Sequence, residues 1–141
     1  MKRIVLDTDV VIAGMRSRTG ASAILLRLAA RKHLTLLASV PLCLEYEAKC
    51  LLPTHRTAAG FSEPEAQAFV DTLISLAEPV HIRYQWRPSV RDPGDEMVLE
   101  AAVNGRADAI VSFNHKDYGN APASFGIALL LPSDDLRSLA P

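Results

Sequence analysis

The chain is expected to fold as an α/β protein, with a parallel sheet carrying helices on both faces. Two observations lead there. Short apolar runs of β type alternate with longer helical segments, the pattern of strands joined by helical crossovers. The helical segments also carry start signals where the alternation needs them: Ser39 ahead of Pro41, and Ser62 with Glu65 three residues on. The second pair is a capping box.

The elements follow in order. Residues 3–7 (Arg-Ile-Val-Leu-Asp) read as a strand. Residues 9–15 and 21–31 read as helices, separated by the polar stretch Arg16-Ser17-Arg18-Thr19-Gly20. Residues 34–38 make a second strand, and a helix runs from the Ser39 cap to about Leu52. Residues 53–60 are polar and read as a loop. The capping box at Ser62 opens a helix whose apolar stripe is Ala66, Phe69, Leu73 and Leu76. Residues 79–84 are a weaker strand, 87–94 a loop and 95–104 a helix, with Gly105 placed as its C′ residue. Strands at 109–112 and 127–131 and a short helix at 133–139 complete the chain.

Composition narrows the class. With 141 residues, 49% of them hydrophobic and 22% charged, the chain suits one domain over 1–141. Fifteen Lys and Arg against sixteen Asp and Glu give a net charge of −1, so no general basic excess points to nucleic acid, although a local patch is compatible with that total. The first apolar run meets Asp7 too soon for a signal peptide, and no run approaches a membrane span. A cytoplasmic location without membrane association is expected. Cys43 and Cys50 are seven residues apart on one predicted helix, a poor geometry for a disulfide, and read as two small buried side chains. The four histidines lack zinc-type spacing. There is no phosphate-binding glycine loop and no Gly-x-Ser-x-Gly elbow.

Chemistry is suggested by acids at the ends of elements. Asp7 closes the first strand, Glu45 lies within two turns of the start of its helix, Asp92 and Asp95 precede or open another, and Asp117 follows the fourth strand. In open parallel sheets ligands bind beyond the carboxyl ends of the strands. Carboxylates gathered there hold a hard divalent cation, which orients a phosphodiester and activates water. Simple helix capping accounts for Asp7 equally well by residue type. Asp9 suits the first turn of a helix. Of Glu45 and Glu47, two residues apart, only one can face a common site, and Glu45, with apolar neighbours, is the candidate. Glu47 and Glu96 read as surface. Ser112 is placed to bond a carboxylate and Asn114 to position water. Arg16 and Arg18 are placed to contact RNA phosphates.

Three stretches carry a family resemblance. They are Ile4-Val5-Leu6-Asp7-Thr8-Asp9-Val10-Val11-Ile12, Asp92-Pro93-Gly94-Asp95-Glu96-Met97-Val98-Leu99-Glu100-Ala101-Ala102, and Ala107 through Tyr118, with Ser39 to Leu52 similar to the helix bearing a second acid. In that order the chain resembles the PIN domain, and looks like the toxin-type PIN proteins related to VapC toxins of type II toxin–antitoxin systems. The resemblance implies a three-layer sandwich around a parallel sheet of about five strands. It also implies an Mg2+- or Mn2+-dependent endoribonuclease, with Asp7, Glu45 and Asp95 on the metal and Asp117 completing the catalytic set. Asp9, Asp92, Ser112 and Asn114 support them, and Arg16 and Arg18 face the RNA. Asn114 departs from the family's commoner Asp, and Asp117 three residues on is placed to compensate. A small antitoxin protein is the implied partner, with a homodimer among the implied assemblies.

Two rivals are kept. One is a PIN-like RNA- or protein-binding module with impaired catalysis, to which Asn114 gives footing. The other is a phosphatase of the haloacid-dehalogenase type, whose opening Asp-x-Asp resembles Asp7-Thr8-Asp9, with Asp134 and Asp135 as late acids.

Overall fold

Five parallel strands form the sheet in the order β3-β2-β1-β4-β5. They are β1 (Arg3–Leu6), β2 (Thr35–Ala38), β3 (Glu78–Pro79), β4 (Ala109–Val111) and β5 (Ala128–Leu130). The computed structural model describes residues 1–83 and 93–139. Among these the helices are α1 (Thr8–Arg16), α2 (Ala21–Ala30), α3 (Val40–Cys50), α4 (Pro53–Ala58), α5 (Glu63–Leu76), α6 (Pro93–Asn104), α7 (Ala121–Ser124) and α8 (Pro132–Leu139). The architecture is the expected α/β sandwich of the PIN-like type. No helix among the described residues is long and apolar enough to cross a membrane.

The core follows from the sequence pattern. Ile4, Val5, Leu36, Leu37 and Ala109 to Val111 are buried on the strands, and Val10, Leu25, Leu42, Val70 and Leu99 are buried on the helices around them. Strands of a parallel sheet lose both faces to helices, so they read as continuous apolar runs. From β1 the chain winds outward through β2 and β3 on one side, then through β4 and β5 on the other. The order reverses between β1 and β4, which opens a crevice at their carboxyl ends. That crevice is where the first candidate residue, Asp7, lies.

The capping predictions hold. Ser39 accepts from the Leu42 N–H at 3.3 Å. Ser62 and Glu65 exchange both bonds of the capping box, at 3.3 and 3.0 Å. Elsewhere the structure departs from expectation. Residues 53–58 are helical rather than loop, because Pro53 presets φ at the first helical position. The expected strand at 79–84 shrinks to Glu78–Pro79 paired with Leu37 and Ala38. Pro79 has no N–H to give the ladder, and Tyr84 lies outside the described residues. Of the loop expected at 87–94, residues 87–92 lie outside them too, while Pro93 and Gly94 already belong to α6. A 3-10 turn at His115–Asp117 and the short α7 were not foreseen. Cys43 and Cys50 are free, one half-buried and one buried.

The end of α6 corrects the reading of Gly105. The left-handed residue that ends the helix is Arg106, at φ 55°. Gly105 is needed for close approach instead. A Cβ there would stand 2.8 Å from the Ala101 carbonyl oxygen and 2.9 Å from Val80 Cγ2. Both are closer than packed atoms tolerate, so Gly105→Ala is expected to lower stability by about 1–3 kcal/mol through overpacking. Urea unfolding checks this, and an unchanged midpoint would show that the helix end gives way without cost.

Candidate active site

Asp7 is built into the crevice by both neighbouring strands. Its N–H bonds the Val111 carbonyl at 2.9 Å, continuing the β1–β4 ladder one residue past the strand. Its side chain then caps α1, Oδ1 accepting from Thr8 N–H at 2.7 Å. The helix start favours a negative charge. Oδ2 accepts from Ser112 Oγ at 2.7 Å and from the Tyr118 hydroxyl at 3.0 Å. One carboxylate therefore caps α1 and anchors two hydroxyls of the crevice. Asp7 is 8% exposed, and Ser112 and Tyr118 are buried beside it. Burial, and after it the charge of Asp7, push the Tyr118 phenol far above its usual range, so the phenol stays protonated as a donor.

Asp9 faces the same crevice from the first turn of α1. Its Oδ2 accepts from Phe113 N–H at 3.2 Å, while Oδ1 is buried without a hydrogen-bond partner. Burial raises its carboxyl to about 6, helped by the charges of Asp7 and Asp95. Asp95, 7% exposed, opens α6, and its charge acts on both Asp9 and Tyr118. Asp7 and Asp95, from two helix starts, thus both lie within electrostatic range of Asp9 and Tyr118.

The remaining candidates are placed less centrally. Glu45 is half-buried on α3, which packs against both α1 and α6. Its neighbour Tyr46 donates from its buried hydroxyl to the Leu6 carbonyl at 2.5 Å, tying α3 to the end of β1. Glu45 is not among the charges that raise Asp9, and no three His, Cys, Asp or Glu side chains among the described residues are arranged around a single ion. Asn114 donates from its backbone to Ser112 Oγ at 2.9 Å and from its amide to Asp117 Oδ2. These two form an outer lip. Arg16 and Arg18 are exposed at the far end of α1, about 12 Å down the helix axis from its start. Asp92 lies outside the described residues. Asp135 is buried beside Lys2, at the opposite end of β1 from Asp7, so it supplies no late acid to an Asp-x-Asp phosphatase site.

Two acids depart from the sequence reading. Glu96, expected at the surface, is 5% exposed, because α6 is wedged between the sheet and α3. Glu47, also expected there, is half-buried and accepts from Gln67 Nε2 at 3.0 Å. Tyr118 and Tyr46 are contributors that sequence reasoning missed. The available signal was that a buried tyrosine needs a partner for its hydroxyl.

The donor set at the crevice has the chemistry a hard divalent cation takes, without three of its side chains gathered around one point among the described residues. It is all oxygen, it concentrates negative charge, and it leaves one buried carboxylate oxygen of Asp9 unsatisfied. A pH dependence follows. Asp9 titrates near 6 in the fold against 3.8 as its reference, so between those values the folded chain holds a proton that the unfolded chain has released. Stability is therefore expected to fall as pH rises from about 4 to about 6 and to stay lower above it, by about 1–2 kcal/mol after discounting for solvent screening. Urea midpoints in chelator at pH 4.5 and 7.5 check the sign. Added Mg2+ should recover more stability at pH 7.5 than at 4.5.

Comparison with known proteins adds one finding. A family model described as PIN domain matches residues 3–116. No curated protein and no solved structure gave a match. The model's reach runs from the first residue of β1 past Asp7, Asp95 and Ser112, so it takes in both sides of the crevice. The chain belongs to the PIN-domain family.

Proposed function

We propose that the protein is a divalent-cation-dependent endoribonuclease that cuts RNA phosphodiester bonds, acting in the cytoplasm as the toxin of a type II toxin–antitoxin pair. PIN domains are generally metal-dependent nucleases, and this chain has their fold. The observation that carries the reading is buried Asp7 at the β1–β4 crevice, clamped by Ser112 and Tyr118, with the charges of Asp7 and Asp95 near enough to raise Asp9.

In this reading Asp7, Glu45 and Asp95 would hold Mg2+ or Mn2+, with Asp9 in support. The bound cation supplies an acidified water and offsets charge that develops on the phosphorus oxygens. Ser112 and Tyr118 fix Asp7 in one orientation, and Tyr118, held protonated, cannot add a further negative charge. Tyr46 holds α3, and with it Glu45, at the end of β1. Asp117, steadied by Asn114, positions water or a second cation at the lip. Arg16 and Arg18 meet RNA flanking the scissile bond. A small antitoxin protein, pairing of two copies of the chain and a single domain over 1–141 belong to the same proposal.

The direct test is purified protein with a mixed-sequence RNA. Cleavage should appear with Mn2+ or Mg2+, vanish with chelator and return when the ion is restored in excess. Cleavage that persists in chelator would overturn the metal reading. Binding of RNA without cleavage in either ion would support the second reading, an impaired module, which Asn114 and the absence of an assembled three-acid group among the described residues favour.

A further inference from the structure

At the β3 edge of the sheet, beside the end of α6, lies a cavity of about 580 Å³. That size is ordinary for a small-ligand site. Pro79, Val80 and Val103 line it together with Arg83, Arg106 and His81. The other cation there is already committed. Arg3 grips Glu78 with two bonds at 3.2 and 2.6 Å and reaches the Gly105 carbonyl at 2.9 Å. Arg83 and Arg106 are exposed, and neither has an acid at ion-pair distance among the described residues. Among the described lining residues Glu78 and Arg3 pair with each other, which leaves Arg83 and Arg106 as the unbalanced charges.

The two arginines are held by backbone rather than by chance. The Arg83 N–H is bonded to Asn104 Oδ1 at 2.9 Å, which pins the chain across the end of α6. Arg106 occupies the left-handed position after that helix, at φ 55°, where glycine would sit without strain. An arginine fork binds phosphate oxygens in pairs, and the apolar side chains beside the two arginines offer contact to an uncharged part of the same ligand.

We infer that this cavity binds a phosphorylated ligand of mononucleotide size, phosphate toward Arg83 and Arg106 and the apolar part over Val80 and Val103. The site stands apart from the β1–β4 crevice, so the inference does not depend on the nuclease proposal. The shared chemistry is a terminal phosphate, carried by a free nucleotide or by an RNA end.

The test is titration of the full chain, in chelator, with adenosine 5′-monophosphate, with adenosine and with a 5′-phosphorylated oligoribonucleotide, followed by amide chemical shifts and calorimetry. The monophosphate should shift resonances at Val80, Arg83, Val103 and Arg106, and adenosine should bind at least about tenfold more weakly. Arg106→Gly removes one fork while relieving the backbone, so it should lose about tenfold in affinity with a melting temperature no lower than the parent's. Arg83→Gln should lose a similar factor. Tighter binding of the oligoribonucleotide, dependent on its 5′ phosphate, would identify an RNA end as the source; equal or weaker binding would identify the free nucleotide. Shifts confined to the Asp7 crevice, or affinity unchanged in both variants, would overturn the inference.

Discussion

Asp7→Asn should abolish RNA cleavage, leaving less than about 1% of parent activity, while the chain still folds. The substitution removes one charge and almost no volume. Asparagine keeps an oxygen to accept from Thr8 N–H, so the α1 cap survives. Its amide then points at Ser112 and Tyr118, whose hydroxyls now donate to Asp7 Oδ2 and are able to rotate and accept instead. That exchange costs about 1 kcal/mol. Against it stands relief of repulsion, since Asp7 is one of the charges raising Asp9. The melting temperature of the variant in chelator should therefore lie close to the parent's, or above it. Activity suffers differently. A carboxylate lost from a cation site removes transition-state stabilisation on the order of 3 kcal/mol or more, comparable to losing an oxyanion donor. Gel-based cleavage in Mn2+ and thermal unfolding in chelator, run on the same preparation, separate the two effects. Full activity in the variant would sink the role given to this crevice.

Lys2→Ala should destabilise the fold by about 3 kcal/mol, the largest stability effect expected of a residue outside the crevice. Asp135, on α8, is completely buried, and Lys2 Nζ stands 2.5 Å from its Oδ1. Neither Asp135 oxygen makes an aligned hydrogen bond, so the ammonium is its compensation among the described residues. The same ammonium donates to Ser138 Oγ at 2.6 Å. Removing one partner of a buried pair leaves an uncompensated charge, which costs several kcal/mol, whereas replacing both with apolar groups is close to neutral. The double variant Lys2→Met with Asp135→Leu should therefore recover most of the loss. Urea unfolding of the parent, Lys2→Met, Asp135→Leu and the double closes the cycle. A loss below about 0.5 kcal/mol in Lys2→Ala would show that the pair contributes little.

Legibility in the sequence tracked how local each signal was. The Ser39 and Ser62 caps depend on residues within one turn, and both are present as expected. Strands β1 and β4 announced themselves as apolar runs, and the charge at Asp7 marked where β1 had to stop. The α/β class and the parallel sheet followed. Burial of Glu96 was not legible, because nothing near it in sequence says that α6 is covered by both the sheet and α3. Gly105 carried two meanings, helix stop and close approach, which only the position of Val80 and Ala101 distinguishes. At the crevice, Asp7, Asp9 and Asp95 could be named from their places at element starts. The clamp by Tyr118 joins residues 111 positions apart, a pairing that no periodicity encodes. The facing of Glu45 depends on how α3 rolls against its neighbours, which the apolar stripe constrains only loosely.

The central place of β1 has a consequence for synthesis of the chain. Its register partner on one side, Ala109, comes 105 residues after Ile4, and β5 follows later still. Contacts of such separation form slowly and late. Ser112 and Tyr118, which clamp Asp7, are made on the far side of that gap. A nascent polypeptide that has not yet reached Ser112 and Tyr118 therefore cannot clamp Asp7, so the crevice closes only after both have been made.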